Sequence, residues 1–87
     1  MKIKSSFLLK QILDDYIVVP AGDELVNFDA MITLNETGAF LWEQLQEEKS
    51  EIDLVNALCK EYDVTEETAK TDISEFVNLL QQAKVLE

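Results

Sequence analysis

Leu34-Asn35-Glu36-Thr37-Gly38-Ala39-Phe40-Leu41-Trp42 is the stretch on which the fold turns. Upstream of it, Val26, Phe28, Ala30, Ile32 and Leu34 alternate with Asn27, Asp29, Met31 and Thr33. A period of two gives a strand one apolar face and one mainly polar face, the pattern of a sheet packed on one side against helices. Downstream, Leu41, Trp42 and Leu45 recur at helical spacing. The run is therefore a strand-to-helix junction, with the helix predicted over 36–46. Asn35 is a candidate N-cap with Glu36 in the first turn, where the helix dipole favours an acid. Thr33 with Glu36 offers an alternative capping box earlier in the chain. Gly38 either relieves a close approach of the preceding strand or is a tolerated surface glycine.

Toward the N-terminus the chain reads as strands. Residues 7–13 form an apolar-rich stretch broken by Lys10 and Gln11, and Asp14-Asp15 is the predicted tight turn. Tyr16-Ile17-Val18-Val19 has the β-branched and aromatic composition strands favour. Pro20 ends it, and Ala21-Gly22-Asp23 supplies turn chemistry. The first two strands are thus predicted to form a hairpin.

Toward the C-terminus the chain reads as helices. Ser50 caps the second, with Asp53 three residues on, and Ile52, Val55, Leu58, Cys59 and Tyr62 form its predicted apolar stripe. Asp63-Val64 is a short turn. Thr65 caps the third helix, which opens with Glu66 and Glu67 and carries Ala69, Ile73, Phe76, Val77 and Leu80 as its stripe. Val85-Leu86 is a short tail expected to fold back onto the core. No repeat, low-complexity segment or flexible linker interrupts this order, so one compact domain is expected over 1–87.

Composition narrows the function. A chain of 87 residues, 47% hydrophobic, builds a small core but no deep substrate cavity, which favours a surface-binding module over an enzyme. There is no histidine, the commonest general base and metal ligand. Cys59 stands alone, so no disulfide or cysteine-based metal site forms within the chain, and its place on an apolar stripe makes it a buried, inert thiol. The formal charge is −11, with no arginine and seven lysines. Phosphate backbones and anionic membrane surfaces repel such a chain. A secretory segment is not expected, because Lys10 and Gln11 cut the Phe7-Leu8-Leu9 run short. Nothing approaches transmembrane length, and the protein is expected to be cytoplasmic.

Three constellations invite a function and two fail. Helix, turn, helix around Asp63-Val64 looks like a DNA-reading motif, but the second helix opens with Thr65, Glu66, Glu67 and Thr68, the wrong sign for phosphates. The acidic pairs Asp14-Asp15, Glu47-Glu48 and Glu66-Glu67 are adjacent in sequence, so on helices they do not converge. No calcium loop, phosphate loop or nucleophile elbow is present. The third constellation is the sheet edge. A three-stranded sheet keeps two edges with unpaired backbone groups. The predicted third strand has neither proline nor lysine to blunt an edge, so an extended peptide could add to it.

The junction run, with Trp42 and Leu45, resembles the central signature of the PqqD family. The resemblance extends over Tyr16-Ile17-Val18-Val19-Pro20 and Ile32-Thr33, through Leu54, Leu58 and Tyr62, to Val64, Asp72, Phe76, Leu80 and Val85-Leu86. That family is also known as the recognition element of ribosomally made, post-translationally modified peptides. The resemblance implies an α+β, winged-helix-like fold: three N-terminal antiparallel strands followed by three helices. It implies no catalysis and no cofactor. It implies a peptide chaperone that binds the leader of a precursor peptide as an added strand, in the cleft between the third strand and the third helix. The leader is then presented to a modifying enzyme, a radical S-adenosylmethionine enzyme or a leader peptidase.

On this chain the element match puts the peptide-binding residues at Val26, Asn27, Phe28, Asp29, Ala30, Met31 and Ile32 and, on the third helix, at Lys70, Ile73, Ser74 and Val77. The signature run itself is expected to mark the fold rather than the peptide site. Lys70 is the one positive charge near the implied cleft, so a strongly acidic leader is poorly matched unless Lys70 meets it. The alternative reading is an interaction module of the same fold with a protein partner other than a modified peptide. A monomer is expected, with a strand-paired dimer the alternative.

Overall fold

The computed structural model describes residues 1–21 and 32–87. Within them, strands β1 (Phe7–Ile12), β2 (Asp15–Pro20) and β3 (Ile32–Leu34) precede helices α1 (Glu36–Gln44), α2 (Glu51–Glu61) and α3 (Glu66–Ala83). This is the expected α+β, winged-helix-like order. The sheet runs β1-β2-β3, antiparallel throughout, with β2 in the centre. Of the predicted third strand, Ile32, Thr33 and Leu34 are β3; its earlier part lies outside the described residues.

Register fixes the two faces of the sheet. Leu9, Val18 and Ile32 lie abreast, as do Gln11, Tyr16 and Leu34. Phe7, Val18, Ile32 and Leu34 are buried and Thr33 is exposed, which continues the alternation expected of the strand. The opposite face carries Leu8 beside Val19 and Lys10 beside Ile17 and Thr33. The hairpin turn is one residue earlier than expected. Ile12 pairs with Asp15, so the two-residue loop is Leu13-Asp14 rather than Asp14-Asp15. Leu13 has φ 57°. Primed hairpin turns require a positive φ at the first loop residue to match strand twist, and here register imposes it on a leucine.

Each helix begins at the residue its capping chemistry indicates. Asn35 Oδ1 accepts from the Gly38 amide at 2.8 Å, which settles the start of α1 in favour of Asn35 over the Thr33 box. At α2, Ser50 Oγ accepts from the Asp53 amide at 3.1 Å and the Ser50 amide donates to Asp53 Oδ2 at 3.0 Å. At α3, Thr65 Oγ1 accepts from the Thr68 amide at 3.1 Å. Such bonds satisfy amides that a helix start leaves orphaned. Helix α1 ends two residues before the predicted bound, and the fully buried Leu45 caps it.

A single core joins the layers: Phe7, Val18, Ile32 and Leu34 of the sheet meet Leu41, Trp42 and Leu45, and behind them Leu54, Leu58, Ile73 and Leu80. The α2 stripe differs from the predicted one at its start. Leu54, Val55 and Leu58 are buried, whereas Ile52 is exposed. Ile52 precedes Leu54 by two positions, about 200° around the helix, and so faces away. Cys59 is half-buried and packs against the core. Phe40 and Tyr62 meet edge to face, ring centres 5.6 Å apart, tying α1 to the end of α2.

The C-terminal tail folds back as expected. Lys84 adopts the left-handed conformation (φ 61°) and turns the chain, so that Val85 enters the core fully buried. Leu86 then forms an antiparallel bridge with Ile3, flanked by bonds from the Lys4 amide to the Val85 carbonyl and from the Glu87 amide to the Lys2 carbonyl, both 2.8 Å.

Candidate functional site

The junction between β3 and α1 is tight for a specific reason. A Cβ at Gly38 would lie 3.1 Å from Leu34 Cβ and 3.4 Å from Asn35 Oδ1. Of the two roles open to Gly38, the close approach of the preceding strand is the one realised. The missing side chain lets the first turn of α1 fold down beside the end of β3. That leaves a gap between this corner and α3.

The gap is an open cleft of about 360 Å³. Thr33, Leu34 and Asn35 come from the end of β3 and the cap, and Thr37, Gly38 and Leu41 from α1. Asp72, Glu75, Phe76 and Leu79 line it from α3. Leu34, Leu41 and Phe76 are core residues whose sides form an apolar floor; Leu79 is 42% exposed and stands at its lip. Asp72 and Glu75 are exposed carboxylates on the rim. Among the described residues, β3 pairs with β2 alone.

The α3 lining falls at positions 72, 75, 76 and 79, a helical stripe rotated from the one that fills the core. Ile73 and Val77, expected in the cleft, lie in the core, 1% and 3% exposed. Ile32 is likewise buried on the inner face of the sheet. Ser74 is exposed and does not line the cleft. Lys70 is exposed too, and its Nζ pairs with Glu66 Oε1 one turn back at 3.1 Å. Val26, Asn27, Phe28, Asp29, Ala30 and Met31 lie outside the described residues. The junction run, expected to mark the fold rather than the site, supplies five of the residues that line the cleft: Leu34, Asn35, Thr37, Gly38 and Leu41. None of the residues that line the cleft was among the peptide-binding residues expected from sequence; Asp72, Glu75, Phe76 and Leu79 on α3 were all missed. Leu79 carried a signal, an apolar side chain on the polar side of an amphipathic helix.

Among the described residues no three His, Cys, Asp or Glu side chains come together as a metal site requires. No helix of the described chain is long and apolar enough to cross a membrane. The cleft offers an apolar floor, a strand edge and two carboxylates. These are the means of holding an extended chain.

Comparison with known proteins gives a consistent answer. The family model for coenzyme PQQ synthesis protein D (PqqD) matches residues 17–86. A solved structure described as TbiB1 in complex with the TbiA(beta) leader peptide is 28% identical, covers 100% of this chain and 95% of its own, and superposes with a TM-score of 0.77. A lasso peptide synthetase B1 complexed with the leader peptide is 21% identical over 98% of this chain and 93% of its own, with a TM-score of 0.71. The second likeness speaks for the fold alone. No curated protein matches the chain.

Proposed function

The chain belongs to the PqqD family, and from that premise we propose that it is a non-catalytic chaperone for a ribosomal precursor peptide. Its leader adds as a strand to the edge of β3 away from β2, under the 72/75/76/79 face of α3. The single observation that carries this reading is the cleft itself: an apolar floor between the third strand and the third helix, beside a β3 edge that has no partner strand among the described residues. An added strand gains affinity from backbone bonds and specificity from alternate side chains seated in pockets. The leader complex of the 28% identical TbiB1 supports the same use of the fold here. Presentation of the precursor is the second part of the proposal. A bound leader leaves the rest of the precursor free, and a modifying enzyme, a radical S-adenosylmethionine enzyme or a leader peptidase, acts on it.

The test is titration of the isotopically labelled protein with the leader of a ribosomal precursor peptide from its own genome, followed by amide chemical shifts. Thr33, Thr37, Gly38, Glu75 and Leu79 are expected to move most. Saturable shifts confined to β1 and the hairpin tip would replace the β3–α3 cleft with another binding face, and no saturable shift at all would refute peptide binding.

A further inference from the structure

The rim of the cleft carries one sign of charge. Asp72 and Glu75 are exposed, and neither takes part in the ion pairs found among the described residues, which join Lys49 to Glu47, Lys70 to Glu66 and the terminal amine to Glu48. No lysine lines the cleft. The cation nearest in sequence, Lys70, is engaged by Glu66. One turn beyond Glu75 on the same stripe stands the half-exposed Leu79, beside the Phe76 ring.

We propose that the peptide segment taken by this cleft carries a lysine or arginine two residues from an apolar side chain. The apolar group packs on Leu79 and Phe76, and the cation meets Glu75 and Asp72. The inference rests on the reading that the cleft takes an extended peptide. The spacing follows from geometry. Glu75 and Leu79 are four residues apart, about 6 Å along the helix axis. Alternate side chains of an extended strand share a face and are about 6.6 Å apart. In the proposed pose the added strand runs along α3, and positions i and i+2 then meet these two groups. An acidic segment meets repulsion from the rim and from a chain of formal charge −11. The rim thus selects by sign, while the floor and the strand edge supply most of the affinity.

The experiment pans a random peptide library displayed on phage against the wild-type protein, the Asp72→Asn/Glu75→Gln double variant and Leu79→Arg. Both rim residues are exposed, and thermal melts confirm that each variant is folded. Wild type is expected to enrich peptides with an apolar residue and a cation two positions apart; the double variant is expected to keep the apolar preference and lose the cation. Anisotropy titration of the synthetic consensus peptide should show up to about five-fold weakening per carboxylate removed, since exposed charge pairs contribute no more than that, and the difference should fade in high salt. Apolar peptides enriched without a basic preference, or a basic preference that survives in the double variant, would overturn the charge selection and leave the cleft reading standing. Wild type enriching nothing beyond Leu79→Arg would overturn both.

Discussion

Helices α2 and α3 are built by the same rules and put to different use. Each opens on a hydroxyl cap with acids in its first turn and closes a buried stripe over the same core. Helix α2 has one working face. Away from it, Ile52 is exposed and takes no part in the β3–α3 cleft. Helix α3 has two. Ala69, Ile73, Val77 and Leu80 face the core, while Asp72, Glu75 and Leu79 face the cleft. Phe76 belongs to both, 8% exposed and in the cleft floor. The difference teaches that a helix in a small domain can line a cleft through a second, partly apolar stripe beside its core stripe, with one large side chain shared between them.

Phe76→Ala is the sharpest way to break that comparison, because it should disturb both stripes. It is expected to destabilise the fold by about 3–5 kcal/mol and to weaken peptide binding in whatever fraction stays folded, read by urea melts and titration. Leu58→Ala on α2 and Leu80→Ala on α3 should each lose about 2–5 kcal/mol. Both side chains are fully buried, and similar losses would confirm that the inner faces are equivalent. A loss at Leu80 far below that at Leu58 would show that α3 is held by something other than its core stripe.

The caps come next. Ser50→Ala should destabilise by about 1 kcal/mol in chemical unfolding. The hydrogen bond from the Ser50 amide, and then that with its hydroxyl, holds the Asp53 carboxyl below the usual carboxylate range. A depressed folded pKa gives stability that is present above the ordinary carboxylate value and lost as pH falls through the folded one. Wild type should therefore melt above Asp53→Asn at neutral pH, and the gap should close in acid. Lys84→Gly should stabilise by about 0.5–1 kcal/mol, since a left-handed residue strains a side chain and glycine relieves it at some loss in chain entropy. A lower melting temperature would show that the Lys84 side chain contributes to the turn. Leu79→Ala should change stability least, within about 0.5 kcal/mol, yet weaken peptide binding about five-fold by removing apolar contact. Unchanged affinity would return α3 to a single working face.

The parts of this fold legible in the sequence are those set over a few residues. Asn35, Ser50 and Thr65 each bond an amide three positions on, so their chemistry is visible without knowing the rest of the molecule. The core stripe of α3 and the hairpin were legible through their periods. The turn was misplaced by one residue because Asp14-Asp15 has the better turn composition, whereas strand register chose Leu13-Asp14. Ile52 was assigned to the core by spacing from Val55, while Leu54 pulled the buried face the other way. The cleft was legible as a location between two elements, through the family resemblance. Its α3 residues were not, because the expectation followed the apolar stripe to Ile73 and Val77. Which residues line the cleft depends on how close α1 stands to β3, and that distance is set by Gly38 against Leu34.

Trp42 gives the molecule a built-in optical reporter. It is the chain's only tryptophan, 3% exposed, and it borders a hollow with Phe7, Leu9 and Tyr16 rather than the β3–α3 cleft. Its emission should shift strongly to the red when the domain unfolds and hardly at all when a tryptophan-free peptide enters the cleft. Folding and occupancy can therefore be followed as separate signals in one cuvette with the protein itself unlabelled, the first by indole fluorescence and the second by a dye on the peptide.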